Sequence, residues 1–171
     1  MTVAVEFTNR VCQSLHDEHM ATLALFARLE ALLGRHNRTD PPDAADPGTA
    51  RLLRDLRTWV DTEIKRHFDF EEDELFGYLD EHGDKALGTS LTGEHRVIRP
   101  LGARIGALAQ EAAGGRFSAA KWDEFWRSGQ ELAERIRGHV QKEEMALLPA
   151  IEDAMDPDTD ARLYQEYMDS M

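Results

Sequence analysis

Two pairs of residues in this chain have the types and the spacing to do metal chemistry: His67 with Glu71, and His139 with Glu143. Residues four apart on a helix lie on one face about a turn from each other, so each pair presents an imidazole beside a carboxylate. Ile64 and Leu75 flank the first pair, and Ile136 and Leu147 the second, which puts both on apolar, inward-facing stripes. An unpaired charge buried there would cost several kcal/mol, on the order of ordinary desolvation penalties. A shared metal ion removes that cost.

The pairs belong to an internal repeat. At an offset of 72 residues, Val60 falls on Leu132, Ile64 on Ile136, His67 on His139, Glu71 on Glu143 and Glu72 on Glu144. At an offset of 76, Leu15 falls on Leu91, Glu18 on Glu94, His19 on His95 and Leu29 on Ile105. A lone histidine on an apolar seam is usually a hydrogen-bonded core residue, but four at matching positions, two followed by glutamate, point to ligation. His19, His67, His95 and His139 with Glu71 and Glu143 then give two histidines and one carboxylate per half. That donor set suits non-heme iron with open positions, and its doubling suggests two metals bridged by carboxylate oxygens. Glu72 and Glu144 sit one residue off the pairing position, where a solvated helix face is the simpler reading. His16 aligns with Thr92 and ranks as an outer or surface group, and His36 and His82 lie outside the repeat. No histidine has a glutamate three residues before it, which excludes the Glu-x-x-His element of other carboxylate-bridged bundles, and no His-Glu-x-x-His zinc motif occurs.

The elements that must carry these residues are helices. The seam Cys12, Leu15, His19, Thr22, Phe26, Leu29, Leu33 alternates steps of three and four. It predicts a helix over about 8–33, with Thr8 as cap and Gly34 as stop. The segment RTDPPDAADPGT is a loop, and Asp46 followed by Pro47 starts a helix over about 47–81. Further helices are expected over about 86–113 and 119–154, the latter capped by Ser118, with a short one over 158–169. Strand patterning is absent. The fold class is all-α, an antiparallel up-down four-helix bundle with a short C-terminal extension, in a single domain over 1–171. Trp59, Trp122, Phe125 and Trp126 read as core, and Cys12 as a buried thiol.

The bulk numbers narrow the function classes. With 20 basic against 33 acidic residues among 171, the surface is anionic, and neither nucleic acid nor a membrane is an expected partner. The one cysteine excludes a disulfide framework and a cysteine zinc site. A soluble protein of the reducing cytoplasm is the expectation.

The segments LHDEHMATL, HFDFEEDELF, LTGEHRVIRPL and HVQKEEMALLPAI resemble, in that order, the helices of the hemerythrin-like, or HHE cation-binding, family. The resemblance covers nearly the whole chain. It implies two iron ions joined by an oxo or hydroxo bridge, with ligands at His19, His67, Glu71, His95 and His139. It leaves the last carboxylate open between Glu143, four residues after the final histidine, and Glu144, five after. Arg99 stands where the family pattern often has another histidine, so the chain is similar to the four-histidine variant. A missing ligand implies a further open position. Tight oxygen carriage is then less expected than reaction with peroxide, oxygen or nitric oxide. The alternative is an iron, oxygen or nitric oxide sensing module without turnover.

Overall fold

The computed structural model describes residues 5–171, and they form five helices with no strand among them. Helix α1 is Arg10–Arg35, α2 spans 47–81, α3 is Lys85–Ala112, α4 spans 119–154 and α5 is Pro157–Asp169. Each of the first four packs on the next, and α4 closes back on α1. The pairings give the directions. His19 meets Glu143 while Gly129 abuts Leu33, Glu18 meets His67 while Arg28 meets Asp55, and His95 meets His139 while Arg104 meets Glu124. Neighbours around the square therefore run antiparallel. Helix α5 runs parallel to α1, touching it at Arg10 through Asp160 and at Glu18 through Tyr167.

The caps explain most helix ends. The side chains of Asp46, Asp84 and Ser118 accept from the amides of Thr49, Leu87 and Lys121, so α2, α3 and α4 start where a short polar side chain satisfies a free amide. Helix α1 differs from expectation. It has no side-chain cap of its own at Asn9, and Thr8 does not serve. Instead Asp160, buried in α5, accepts from the amides of Arg10 and Val11 at 3.0 Å each, and Glu152 accepts from those of Thr8 and Asn9. The C-terminal extension supplies what the local sequence lacks. Nor does α1 stop at Gly34, which lies within the helix.

The core divides in two. One apolar cluster, around Leu29, Leu56, Ile105 and Phe125, fills one end of the bundle, and another, around Leu15, Leu75, Leu91 and Leu147, fills the other. His19, His67, His95 and His139 sit between them, forming a polar layer through the middle. Trp59, Trp122 and Phe125 are buried, as expected of core residues, and Trp126 packs against the same cluster, with each indole N–H donating to an oxygen of α1 or the following loop.

Helices α2 and α4 are not uniform. Bonding widens to π-helical at Val60–His67 and Glu71–Leu75 in α2, and at Glu143–Leu147 in α4. Hydrophobic periodicity does not register such turns, which recur where helices carry functional side chains. Where Val60–His67 ends, Phe68 N–H bonds Glu63 O and Lys65 O, and Ile64 O accepts from Arg99 Nη1 at 2.6 Å. In α4, Pro149 lies just beyond the widened turn and removes an amide that regular α bonding would use.

Candidate metal centre

The imidazoles of the polar layer converge through their Nε2 atoms. His67 Nε2 is 3.0 Å from Glu71 Oε1, and His95 Nε2 is 3.3 Å from Glu71 Oε2. His139 Nε2 is 2.8 Å from Glu143 Oε1, and His19 Nε2 is 3.0 Å from Glu143 Oε2. Each carboxylate therefore offers one oxygen to a histidine of the first half and the other to a histidine of the second. Two donor groups result, His19, His67, Glu71 and Glu143, and His95, His139, Glu71 and Glu143, with the donor atoms of each group within 4.8 Å of one another. All six residues are buried.

The donor atoms crowd a common space in which not all of them can pair. His19 Nε2, Glu71 Oε2 and Glu143 Oε1 are buried without a hydrogen-bond partner. His95 Nε2 and His139 Nε2 face each other at 3.1 Å, where at most one can carry the intervening proton. Buried polar atoms are nearly always satisfied, and a cation between these lone pairs would satisfy all of them at once. The residues fit a metal.

The opposite ring nitrogens are all occupied, in a closed circuit. Nδ1 of His19 contacts Glu144 on α4 at 2.6 Å, and Nδ1 of His139 on α4 contacts Glu94 on α3 at 2.7 Å. Nδ1 of His95 on α3 contacts Glu72 on α2 at 2.7 Å, and Nδ1 of His67 on α2 contacts Glu18 on α1 at 2.8 Å. Each of the helices α1 to α4 thus gives a histidine to the centre and a glutamate to its neighbour's histidine. An Nδ1–H donated to a carboxylate fixes the tautomer that leaves Nε2 free to bind a cation, and raises its basicity. Consecutive glutamates manage two tasks because successive helix positions point roughly 100° apart. Glu71 faces the centre and Glu72 the ring of His95, as Glu143 and Glu144 do for the second carboxylate and His19.

A further set of donors holds the four outer carboxylates. Arg66 and the Tyr167 hydroxyl bind Glu18, Arg99 binds Glu72, Lys142 binds Glu94, and His16 Nδ1 lies 2.7 Å from Glu144. Burial pushes the Glu18 carboxyl up, but His67, Tyr167 and Arg66 outweigh it and hold the group at about 2. Glu72, Glu94 and Glu144 are likewise held below the usual carboxylate range by the imidazole each contacts. Burial pushes the histidines down, yet the facing carboxylates raise His19 to about 9 and His139 to about 10, and His67 and His95 rise too. Phe68 stacks on His95 at 3.7 Å between ring centroids and closes the layer against one apolar cluster.

The structure thus brings His19, His67, Glu71, His95, His139 and Glu143 to one point. It sets Glu72 and Glu144 on the outer ring nitrogens of His95 and His19, and His16 behind Glu144. Of the two histidines outside the repeat, His36 is half-buried beside Trp122 and His82 is exposed. The sequence reading gave no task to Glu18 and Glu94, although the repeat aligns them and each immediately precedes a histidine. Glu63, buried and 3.1 Å from His67 Nδ1, and Tyr167 left no such signal.

No curated protein matches the chain in a sequence search. The family model for the Hemerythrin HHE cation binding domain matches residues 11–165, a span that takes in every residue of the polar layer. Over that span, the chain belongs to the hemerythrin HHE cation binding domain family.

Proposed function

We propose that this chain holds two iron ions and reacts with peroxide or oxygen at them. The observation that carries the reading is the sharing of Glu71 and Glu143 between two histidine pairs. His19 and His67 would hold one ion and His95 and His139 the other, each with one oxygen from both carboxylates. Four protein donors are fewer than the roughly six that an octahedral first-row metal takes, which leaves room for an outside ligand. Iron bound there would supply reversible one-electron changes and exchangeable positions for oxygen, peroxide or nitric oxide.

The protein's own part is to orient and insulate. The four glutamates on Nδ1 make the imidazoles stronger donors and would favour the more highly charged state of a bound ion. Phe68 and Phe76 pack on His95 and keep bulk water from its face. Glu144 bridges Nδ1 of His19 and Nδ1 of His16, so the carboxylate that orients His19 is itself held in place from the partly exposed side of the layer.

The test is oxygen release from hydrogen peroxide by the iron-loaded protein, alongside iron content and the near-ultraviolet spectrum. His67→Ala and His139→Ala should each abolish the activity. Equal activity in all three proteins would overturn the proposal.

A second reading, iron or oxygen sensing without turnover, is favoured by one observation. The hydroxyl of Tyr167, in the C-terminal helix, donates to the glutamate that holds His67, so occupancy of the layer bears on how α5 docks. Ligand-dependent protection of α5 with no peroxide turnover would support it.

A further inference from the structure

We infer that the two halves of the centre are kinetically unequal: the His95 and His139 half is reached through a cleft over Gly138, while α5 and Arg66 seal the His19 and His67 half. The inference rests on the reading that two ions bind, and it concerns how they come and go.

The repeat makes the comparison possible. A cleft of about 330 Å³ lies between α3 and α4, lined by Glu94, Ile98, Glu134, Gly138 and His139 among others. Its counterpart of about 370 Å³ between α1 and α2 is lined at the equivalent positions by Glu18, Thr22, Thr62 and Arg66. The same architectural groove therefore exists on both halves. The first differs at its floor, because His139 forms part of the lining whereas His67 does not line the counterpart.

Two substitutions within the repeat and the placement of α5 account for the difference. Gly138 stands where Arg66 stands, and a side-chain carbon placed on Gly138 would meet nothing within 4 Å. Arg66 fills the equivalent space and is fixed there by Glu18, Ser170 Oγ and Tyr167 O, with its guanidinium 3.8 Å from the centre of the Tyr167 ring. Glu63, packed 3.1 Å from His67 Nδ1, corresponds to Arg135, which turns outward to Glu131. Finally, α5 lies only over the first half, its Tyr167 buried against Glu18. Over the second half the ion pair of Lys142 with Glu94 lies beside His139 in the lining of the cleft, and Lys142 is partly exposed. Opening there needs one flexible side chain to swing away. Opening over His67 needs Arg66, Tyr167 and a helix to move together, and concerted openings of packed elements are far rarer than those of surface side chains.

The experiment loads the full chain with ferrous iron without oxygen, measures iron per chain, and follows transfer to a chelator whose iron complex absorbs visible light. Two phases of equal amplitude are expected. Gly138→Arg should slow the fast phase by about fivefold or more, the effect of roughly one hydrogen bond on a local opening, and leave the slow one unchanged. Arg66→Ala should speed the slow phase and leave the fast one unchanged, an arm that does not depend on Gly138→Arg folding well. A single phase for two bound ions, or either substitution acting on the wrong phase, overturns the inference. A chain that takes up no iron overturns the two-ion reading beneath it, and the stoichiometry taken before chelation tells these failures apart.

Discussion

Glu18 contacts Nδ1 of His67 at 2.8 Å, and Glu94 makes the same contact with His139 at 2.7 Å on the other half of the bundle. Each glutamate precedes a histidine of its own helix but serves the histidine of the next. The bundle's neighbours are thereby tied through the same groups that would hold the metal, and rigidity and affinity become one property.

Loss of one such tie should weaken metal binding without abolishing it. Glu94→Gln keeps the shape but replaces a carboxylate acceptor with a neutral amide, and a roughly 10–100-fold fall in iron affinity is expected, the usual effect of removing the partner of a ligand's outer nitrogen. Competition with a calibrated chelator measures it. Unchanged affinity would show that the circuit of carboxylates has no bearing on the metal.

Glu143 and Glu144 should behave differently although they adjoin. Glu143 offers oxygens to both histidine pairs, so Glu143→Gln should reduce the number of ions bound per chain. Glu144 touches the outer nitrogens of His19 and His16, so Glu144→Gln should keep the stoichiometry and lower affinity only. Native mass spectrometry of the two variants decides, and the reverse pattern would exchange their roles.

Opposite pH trends should separate the metal-free and loaded proteins. In the metal-free chain, His19 and His139 keep their protons to about 9 and about 10 against an unfolded value near 6.5. Their contribution to stability is complete below the unfolded value and is lost as pH rises through the folded ones. Glu18, held at about 2, contributes above the usual carboxylate range and loses its effect only as pH falls towards that value. The melting temperature of the metal-free protein should therefore decline between about pH 6.5 and 10. Iron competes with protons for Nε2, so the loaded protein should instead lose stability on acidification. Parallel trends in the two forms would show that these imidazoles do not bind the ion.

Arg99 has a task distinct from ligation. It donates to the Ile64 carbonyl at 2.6 Å and to Asp69 and Glu72, anchoring the widened turn that leads into His67. Arg99→Ala should cost about 1–3 kcal/mol, the range for leaving a partly buried acceptor without its charged donor. Denaturant unfolding of the metal-free protein reads this directly. A change below about 0.5 kcal/mol, the scatter of ordinary surface substitutions, would mean that water replaces the guanidinium.

The sequence by itself determined the helices and the chemistry they carry. Apolar residues recurring every three or four positions mark a helix face wherever the chain later packs, and the repeat of His19 in His95, and of His67 and Glu71 in His139 and Glu143, singles out the interior polar groups. These are local patterns, set by helix geometry alone. Helix packing set which histidines pair, since His19 and His67 lie 48 residues apart and meet because α1 and α2 pack antiparallel at one register. It also decided that Glu71 and Glu143 each span both pairs, that Glu18, Glu72, Glu94 and Glu144 form the outer circuit, and that Asp160 and Tyr167 of α5 complete the first half alone. Periodicity reports a face and not a partner. A contact between two helices depends on their relative rotation and register, which the packing of both apolar clusters fixes together.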